Sequence, residues 1–417
     1  MARYELIGKT LAHSFSKPIH EMLGAYRYHL HELPDEQAVA RYLHEKAFDG
    51  CNVTLPYKQT VLPLLDAVDD RAARIGAVNT IVNRNGYLTG YNTDYDGVAF
   101  MLARRGISLK GRRLLLLGSG GTCRTISTFA QDAGAAEILV ASRNPAPGQL
   151  TYEAALQEKG VEIIINTSPA GMYPHNGESL ISPASFPALC AVADVVFNPL
   201  KTRLLLDAEA LGIPVAGGLP MLVEQAVSAA RLYTGTPFSC ADTERVLRDF
   251  YAERANLVLI GMPSSGKSKL GLAVSRLLKK PFCDLDVLLE QHAGKGIPQI
   301  FSEDGESAFR RMETDVLAET TRQTGYVIST GGGVVTRPEN IPLLRQNGVV
   351  LYLNRPLELL SVGNGRPLSS SPKALADMYA QRHSLYKAAS DTTVQNNVSF
   401  SSAMRTIAEA FYEALDP

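Results

Sequence analysis

Two glycine-rich loops, each placed directly after a short apolar run, constrain the fold of this chain more than any other feature. The first loop begins at Gly118 after the run Leu114–Leu117, and the second begins at Gly261 after Leu257–Ile260. A strand, a glycine turn and a helix N-terminus together form the phosphate-binding unit of a parallel α/β sheet. The sequence therefore predicts two separate nucleotide-binding sheets with a domain boundary between them.

The pattern along the rest of the 417 residues agrees with an α/β class built on parallel sheets. Short apolar runs alternate with segments of helical period, which is typical of this class. Asn85-Gly86 predicts a type I′ hairpin between Val78–Val82 and Tyr87–Gly90. We expect strands at six further runs: Leu114–Leu117, Ile138–Val140, Ile163–Ile165, Val195–Phe197, Leu257–Ile260 and Val349–Leu353.

The two loops also divide the chain. We expect residues 1–100 to form one subdomain, residues 101–218 a Rossmann subdomain with the first loop, and residues 255–417 a P-loop domain. A helical stretch within 219–254 is expected to return to the first subdomain. The boundary is placed near Arg254, because helical periodicity runs up to the next apolar strand with almost no spacer.

Composition and the distribution of charged, apolar and cysteine residues exclude several classes of protein. A formal net charge of -1 gives no basic field for a nucleic acid, and no apolar run approaches the ~18 residues of a membrane span. The N-terminus has no signal-peptide core, and the five cysteines are scattered without a C-x-x-C pair. We expect a soluble cytoplasmic enzyme whose partners are small-molecule substrates, with neither nucleic acid nor membrane; the sequence does not indicate its oligomeric state.

The first glycine loop suits a dinucleotide. Gly118, Gly120 and Gly121 would let the backbone approach a pyrophosphate, although Cys123 stands at the third glycine position. The next apolar run ends in Ser142-Arg143, where an NAD enzyme would place an acidic residue. A guanidinium suits a 2′-phosphate, which favours NADP over NAD. The alternative is that Arg143 is only a solvated charge at a strand end.

Several polar side chains before residue 100 form a second candidate site. Each has a structural alternative: Ser16 as a helix cap, Thr54 as a strand residue, Lys58 as a surface charge. Together with Asn79 and Asp94 they supply hydroxyls, an amide, an amine and a carboxylate. This set suits a small polyhydroxy acid.

The motifs that contain these residues resemble those of shikimate dehydrogenases, and the resemblance covers residues 1 to about 250. The resemblance implies that Lys58 and Asp94 are the catalytic pair and that NADPH reduces 3-dehydroshikimate. It departs from the family at Phe197, where a tyrosine is usual. The motifs are Gly8-x4-His13-Ser14-x-Ser16, Asn52-Val-Thr54-x-Pro56-x-Lys58, Gly76-Ala-Val-Asn79-Thr80, Gly90-x-Asn92-Thr93-Asp94, Asn166-Thr167-Ser168 and Gly218-Leu-Pro-Met221-x3-Gln225. By the same resemblance, shikimate binds to Ser14, Ser16, Thr54, Asn79 and Gln225, and the cofactor binds at Gly118, Gly120, Gly121, Arg143 and Met221.

The second loop, Gly261 to Ser268, satisfies the P-loop pattern G-x-x-x-x-G-K-[ST] between a strand and a helix. This pattern predicts ATP as the donor. Lys267 would reach the β- and γ-phosphates, and the Ser268 hydroxyl would bind Mg²⁺. The remaining nucleotide contacts are expected from Gly261, Ser264, Ser265 and Gly266.

Motifs after the P-loop resemble those of shikimate kinases, from about residue 255 to the end. They are Phe282-x-Asp284-x-Asp286, Gly305-Glu306-x2-Phe309-Arg310-x2-Glu313, Gly331-Gly332-Gly333, Arg366-Pro-Leu and Arg382-x3-Tyr386. The resemblance implies that Asp284 lies near Mg²⁺ and that Asp286 acts on the acceptor hydroxyl. It also implies that Arg310 and Arg382 hold the shikimate carboxylate, that the glycine triplet packs against the ring, and that Arg366 moves with a lid. The lid segment is shorter than is usual in the family.

Other interpretations remain open from the residues alone. Asp284 could cap a strand, and Arg310 could pair with Glu306 or Glu313 along one helix face. The same folds could serve a quinate dehydrogenase joined to a gluconate-type kinase, or a non-catalytic ligand sensor. The retained polar groups of both sites favour a bifunctional enzyme of aromatic amino acid biosynthesis, in which the product of the dehydrogenase is the substrate of the kinase.

Overall fold

The computed structural model describes residues 2–12, 14–24, 26–362 and 371–415. The chain divides into two compact units, Met1–Phe250 and Tyr251–Pro417. No helix among these residues is long and apolar enough to cross a membrane.

The first sheet of the first unit has six strands in the order β2-β1-β3-β5-β6-β4. It is mixed, because β2, β1 and β3 are parallel whereas β5 is antiparallel to both β3 and β6. The strands are β1 (Tyr4–Gly8), β2 (Tyr28–Glu32), β3 (Gly50–Val53), β4 (Ala67–Val68), β5 (Thr80–Arg84) and β6 (Tyr87–Tyr91). Four helices accompany them: α1 (Ser16–Met22), α2 (Glu36–Glu45), α3 (Asp70–Ile75) and α4 (Asp94–Arg104).

The hairpin of β5 and β6 turns at the two residues that its sequence pattern indicates. Asn85 has φ 54° and Gly86 has φ 86°. A type I′ turn needs positive φ at both central residues, which asparagine and glycine tolerate best. The strands start and end within two residues of the predicted ones. This hairpin leaves Asn79 before β5 and Asp94 after β6 at the same end of the sheet.

The second sheet of this unit is parallel, in the order β11-β10-β9-β7-β8. Apolar side chains cover both of its faces, in two separate buried clusters. The strands are β7 (Arg113–Leu117), β8 (Glu137–Ala141), β9 (Ile163–Asn166), β10 (Ala191–Asp194) and β11 (Val215–Ala216). The helices between them are α5 (Gly121–Asp132), α6 (Tyr152–Ala155) and α7 (Arg203–Ala210).

The predicted strand at Val195–Phe197 is wrong, because β10 ends at Asp194. The Asp194 carboxylate accepts a hydrogen bond from the backbone N–H of Val196 at 2.9 Å. This local bond turns the chain out of the sheet, so the apolar residues that follow lie beyond the strand.

Two long helices complete the first unit, and the second of them extends past its end. Helix α8 (Leu219–Thr234) packs against α1, α4 and β5. Its Tyr233 ring stacks on Tyr4 of β1 with ring centroids 5.2 Å apart. Helix α9 (Cys240–Arg254) includes the division between the two units.

The second unit is built on one parallel sheet in the order β13-β14-β12-β15-β16. Central β12 is buried along its whole length. The strands are β12 (Asn256–Ile260), β13 (Phe282–Asp284), β14 (Val327–Ser329), β15 (Gly348–Asn354) and β16 (Thr392–Gln395). The helices are α10 (Lys267–Leu278), α11 (Leu285–Ala293), α12 (Ile297–Glu303), α13 (Gly305–Arg322), α14 (Asn340–Arg345), α15 (Pro372–Ala389) and α16 (Phe400–Ala414).

Candidate active sites

The first candidate site centres on an ion pair between Lys58 and Asp94. Lys58 Nζ lies 2.6 Å from Asp94 Oδ2, and the two side chains are 21% and 12% exposed. The Lys58 backbone is held in place because its carbonyl accepts from the N–H of Val78 at 2.8 Å. Asp94 is the first residue of α4, where the helix N-terminus stabilises a carboxylate. The pair is thus partly shielded and still open to a ligand.

Asn79 engages the other oxygen of the same carboxylate. Its Nδ2 donates to Asp94 Oδ1 at 2.9 Å, and the asparagine is almost fully buried. Both carboxylate oxygens therefore have a directed partner, which determines how Asp94 faces Lys58. The structure brings together three of the predicted site residues, from three different parts of the chain.

The other predicted residues of this site are placed by separate contacts. The N–H of Ser16 donates to Ser14 Oγ at 3.2 Å, at the start of α1. Thr54 follows β3, which is the parallel neighbour of β1, so the ends of both strands share one sheet edge. Gln225 Nε2 donates to the Leu222 carbonyl at 2.8 Å within α8. His13 of the same motif lies outside the described residues.

Phe197, the departure from the family pattern, contacts the residue between the two predicted serines. The rings of Phe15 and Phe197 have centroids 5.4 Å apart. Sequence reasoning did not find this contact, because the two rings come from different sheets and are far apart in the chain. A phenyl ring at this position contributes an apolar wall and no hydroxyl group.

The first glycine loop has the geometry of a phosphate cradle. Gly118 has φ 104°, a conformation that favours glycine. An added Cβ there would lie 3.0 Å from Ser168 Cβ, so a side chain would also be crowded. An added Cβ at Gly120 or Gly121 would have no described atom within 4 Å. The backbone at the start of α5 is thus accessible to a ligand, as a pyrophosphate site requires.

Two further residues were predicted to bind the cofactor. Arg143 is exposed two residues after the end of β8, where a guanidinium can meet a ligand from the solvent side. Met221 lies in the first turn of α8 and is buried in the apolar cluster that covers one face of the second sheet. Its carbonyl oxygen packs against Gly97 of α4, where an added Cβ would be 2.5 Å away.

Asp194 is a fully buried carboxyl that is held by uncharged hydrogen-bond donors. Its Oδ1 accepts from Asn166 Nδ2 at 2.9 Å and its Oδ2 accepts from Thr202 Oγ1 at 2.7 Å. Burial raises the pKa of Asp194 from 3.8 to about 7, although these hydrogen bonds oppose the shift. A protonated Oδ2 could donate to Thr202 Oγ1, which keeps the neutral form satisfied in the same geometry.

This raised pKa predicts a pH dependence of stability. Between pH 3.8 and about 7 the folded chain binds the proton more tightly than the unfolded chain, so the free energy of unfolding falls as the pH rises. Asp194→Asn keeps the shape of the neutral acid, and we expect it to remove this part of the decline. Calorimetric unfolding of both proteins across this range measures the difference. Asp207→Asn, at a half-exposed ion pair on α7, is the control; identical profiles for wild type and Asp194→Asn would contradict the expectation.

The P-loop of the second unit needs unusual backbone angles. Gly261, Ser264 and Gly266 have φ of 146°, 65° and 97°. Successive N–H groups in such conformations form a concave anion site. Lys267 Nζ donates to the carbonyls of Gly261 and Met262 at 2.9 and 3.0 Å, so the ammonium group lies over its own loop. Ser268 Oγ lies 3.3 Å from Ser329 Oγ at the end of β14.

A residue near the end of the chain supports this loop. Asn396 Nδ2 donates to the Ser265 carbonyl at 2.7 Å, and both residues are buried. The two are 131 residues apart in the sequence. Sequence reasoning did not single out Asn396, since an asparagine after a short strand is common in turns.

The acidic residues after β13 lie at the start of α11. Asp284 Oδ1 accepts from the Asp286 N–H at 3.1 Å, so Asp284 is a helix N-cap, where the sequence had left open a strand cap. Asp286 is close to the glycine triplet, because an added Cβ at Gly331 would lie 3.0 Å from Asp286 Oδ1. Glycine at 331 thus leaves room beside this carboxylate.

Arg310 is paired along its own helix as the alternative interpretation proposed. It lies 2.7 Å from Glu313 and 3.2 Å from Glu306. Burial raises the pKa of Glu313, and the neighbouring Arg310 opposes that shift. The guanidinium also occupies the space where a Cβ of Gly333 would be, so a side chain at 333 would displace Arg310 from this position. Arg310 is held by carboxylates and still lines a cavity.

That cavity has a volume of ≈ 620 Å³. Arg382 also lines it and is anchored by donating from Nη1 to the Gly332 carbonyl at 2.9 Å. Arg366, the predicted lid residue, lies outside the described residues. The cavity wall includes Ser264, Gly266, Lys267, Ser268, Asp286, Arg310, Gly331, Gly332, Gly333 and Arg382. One cavity therefore joins the phosphate loop to the guanidinium groups of Arg310 and Arg382 and to the carboxylate of Asp286.

The donor atoms suit a magnesium ion that is bound mainly through phosphate. No group of three or more histidine, cysteine, aspartate or glutamate residues that could hold a metal occurs in the part of the chain that the structure describes. Mg²⁺ commonly takes only one or two protein oxygens and completes its shell with water and substrate phosphates. The hydroxyl of Ser268 and the carboxylate of Asp284 are oxygen donors of this kind.

Comparisons with known proteins find relatives of both parts of the chain. Residues 6–81 match the family model described as "Shikimate dehydrogenase substrate binding domain", and residues 263–415 match "Shikimate kinase". The shikimate dehydrogenase (NADP(+)) of Moorella thermoacetica is 36% identical over 234 residues, 52% of this chain and 79% of that protein.

Solved structures show the same relation. A chorismate mutase/shikimate 5-dehydrogenase fusion protein from Clostridium acetobutylicum is similar with a TM-score of 0.57 and 31% identity, over 60% of this chain and 97% of that one. Shikimate 5-dehydrogenase from Thermus thermophilus, solved with NADP(H) and shikimate, gives a TM-score of 0.54 and 34% identity over 60% and 99%. The chain belongs to the shikimate dehydrogenase family, and it carries a shikimate kinase domain in its C-terminal part.

Proposed function

We propose that this chain catalyses two consecutive reactions: reduction of 3-dehydroshikimate to shikimate with NADPH, and phosphorylation of shikimate to shikimate 3-phosphate with ATP. The observation that carries the proposal is that one chain holds both the Lys58–Asp94 pair and a P-loop cavity containing Arg310 and Arg382. The product of the first reaction is the acceptor of the second, so the two activities serve one route to aromatic amino acids.

In the reduction, we assign proton transfer to the Lys58–Asp94 pair. NADPH supplies a hydride to the ketone carbon, and the developing alkoxide needs a proton donor. Asp94 orients Lys58 at 2.6 Å, so the ammonium group can donate to that oxygen. Partial burial strengthens this electrostatic stabilisation relative to bulk water.

The remaining residues of the first site bind and orient. Lys58 and Asn79 are joined through Asp94, so Asn79 acts on the same carboxylate that holds the proton donor. We assign shikimate binding to Ser14, Ser16, Thr54, Asn79 and Gln225, and cofactor binding to Gly118, Gly120, Gly121, Arg143 and Met221.

The cofactor preference gives a direct test of Arg143. We expect Arg143→Asp to raise KM for NADPH by about tenfold to a hundredfold while KM for NADH changes little, since a carboxylate would then face the 2′-phosphate. Steady-state rates with each cofactor measure the ratio. Arg105→Asp, an exposed arginine after α4, controls for the general change of charge. If the NADPH-to-NADH ratio does not move, Arg143 does not bind the 2′-phosphate.

In the phosphorylation, positioning and charge neutralisation are the main tasks of the protein. We assign Lys267 to the β- and γ-phosphates, and the backbone from Gly261 to Gly266 to the rest of the phosphate chain, with Ser264 and Ser265 included. Ser268 and Asp284 would hold Mg²⁺, which supplies neutralisation of phosphate charge. ATP is the donor in this assignment, and Arg366 is its proposed lid contact.

The acceptor is positioned on the opposite side of the same cavity. Two guanidinium groups, Arg310 and Arg382, suit the carboxylate of shikimate. Asp286 would accept the proton of the attacking hydroxyl, and it lies against Gly331 where no side chain intervenes. The backbone of Gly331, Gly332 and Gly333 would pack against the ring.

We also propose that the activities belong to separate domains. Residues 1–100 with the helices of 219–254 would bind shikimate, residues 101–218 NADP, and residues 255–417 would form the kinase. The five free cysteines favour a reducing compartment, so we place the protein in the cytoplasm, with small-molecule substrates as its partners.

Purified protein tests the function as a whole. NADPH oxidation with 3-dehydroshikimate and ADP release with shikimate should both occur in one sample. Quinate with NADP and gluconate with ATP serve as competing substrates. If quinate or gluconate is turned over faster, it replaces the proposed substrate of the corresponding domain. If neither activity is detected, the non-catalytic alternative is favoured.

A further inference from the structure

A network of buried hydrogen bonds lies directly behind the Lys58–Asp94 pair. At its centre is Thr80, the first residue of β5, whose side chain is fully buried. A hydroxyl with no exposed surface does not contact a ligand. Any effect of Thr80 on the reaction must therefore act through its neighbours.

Strand register brings the first neighbour to Thr80. Asn52 of β3 is paired with Thr80 across the antiparallel ladder. Asn52 Oδ1 accepts from the Tyr28 hydroxyl at 2.6 Å, so its Nδ2 must face the other way. That Nδ2 donates to Thr80 Oγ1 at 3.0 Å and to the Asn79 carbonyl at 3.2 Å. The orientation of the Asn52 amide is determined, and Thr80 Oγ1 is an acceptor on this side.

Because Thr80 Oγ1 accepts from Asn52, its own hydrogen is directed to the other side. There Asn79 Oδ1 lies 3.0 Å away and Thr93 Oγ1 lies 3.1 Å away. Asn79 Oδ1 also accepts from the N–H of Thr93 at 2.8 Å. The Thr93 N–H therefore determines which end of the Asn79 amide is the carbonyl, and the Thr80 hydroxyl is a second donor within reach of the same oxygen.

The orientation of the Asn79 amide also determines its contact with Asp94. With its oxygen held by Thr80 and Thr93, Asn79 must present Nδ2 to Asp94 Oδ1, at 2.9 Å. A rotated amide would place a carbonyl oxygen against the carboxylate, which is repulsive. The carboxylate that orients Lys58 is therefore itself oriented by a chain of buried groups.

We propose that Thr80 is a positioning residue for the reduction, because its hydroxyl, together with the N–H of Thr93, holds the oxygen end of the Asn79 amide in place and so the orientation of the Lys58–Asp94 pair. This proposal rests on the proposed dehydrogenase function. The proposal predicts that the reduction depends on the hydroxyl group of Thr80 itself, since valine has the same branched shape and the same preference for a strand. Catalytic groups need placement to within about half an ångström, and misplacement by about 1 Å can cost about a hundredfold in rate.

The test compares Thr80→Val with Thr80→Ser in the full-length protein. We expect Thr80→Val to lower kcat for 3-dehydroshikimate reduction by about tenfold to a hundredfold, with KM for NADPH within about twofold of wild type. Thr80→Ser retains the hydroxyl and should recover most of kcat. Kinase activity in the same samples should stay unchanged, which shows that equal amounts of protein are compared, and an unchanged KM for NADPH reports that the first unit is folded.

A matched control separates positioning from a general loss of stability. Tyr42→Phe removes another buried hydroxyl of the same unit, which donates to Glu5 at 3.3 Å, and we expect it to leave kcat unchanged. If Thr80→Val retains wild-type kcat, or if Thr80→Ser is as slow as Thr80→Val, the proposal is overturned. If the wild-type protein itself does not reduce 3-dehydroshikimate, it is the proposed function that fails, so the two failures are distinguishable.

Discussion

Replacing Lys58 with alanine is expected to lower kcat for 3-dehydroshikimate reduction by about 10²–10⁴-fold, the range for losing a general acid. The variant removes the ammonium group that lies 2.6 Å from Asp94, while Asn79 still holds the other carboxylate oxygen. Substrate binding should therefore be largely retained. The measurement is steady-state NADPH oxidation, with ADP release by the kinase recorded on the same protein.

Lys46→Ala is the matched control for that change. Lys46 also forms an ion pair in the first unit, with Asp66 at 3.2 Å, but neither residue belongs to the proposed site. We expect its kcat to equal that of wild type. Lys58→Ala with a wild-type rate would remove Lys58 from the mechanism, whereas a matching loss in Lys46→Ala would point to a general electrostatic effect.

Replacing Lys267 with alanine should have the reciprocal result. Phosphoryl transfer to shikimate is expected to fall by about 10²–10³-fold, as when one charged or oriented donor to a developing negative charge is lost. The dehydrogenase rate should be unchanged, because its residues belong to a different compact unit. ADP release in the presence and absence of shikimate measures the effect.

Lys267 also donates to two carbonyls of its own loop, so its removal could loosen the P-loop. Lys267→Met, which keeps most of the apolar stem, addresses this point. Lys279→Ala, at the other end of α10, is the control for charge loss on the same helix. If both Lys267 variants release ADP at the wild-type rate with shikimate, the assignment of Lys267 is wrong; if either variant also loses dehydrogenase activity, the domains are not independent.

The parts of the fold that could be predicted are those in which consecutive residues carry the whole signal. The P-loop has its strand, glycines, lysine and helix within one short segment, and the structure confirms that arrangement. The hairpin at Asn85-Gly86 was predictable for the same reason, since two adjacent residues determine its turn. The strand predicted at Val195–Phe197 was wrong because the buried carboxylate of Asp194 accepts from the backbone N–H of Val196, and this bond ends β10.

The candidate sites show the same distinction. The pairing of Lys58 with Asp94 was inferred from resemblance to a family, because the two residues are 36 residues apart and no local pattern joins them. The helix cap by Asp284 and the pairing of Arg310 with both neighbouring glutamates are local contacts within one helix or at its start. The packing of Phe197 on Phe15 was decided by the tertiary structure.

By itself, the sequence determined two phosphate-binding loops, their order and the chemical types of residue around them, because backbone angles and helix starts depend on adjacent residues. Only the tertiary structure decided the direction of each hydrogen bond behind Asp94 and the support of Ser265 by Asn396, 131 residues away. Those contacts depend on strand register and on which buried donor finds which acceptor. Such pairing is a property of the packed interior, where every polar group must be satisfied at once.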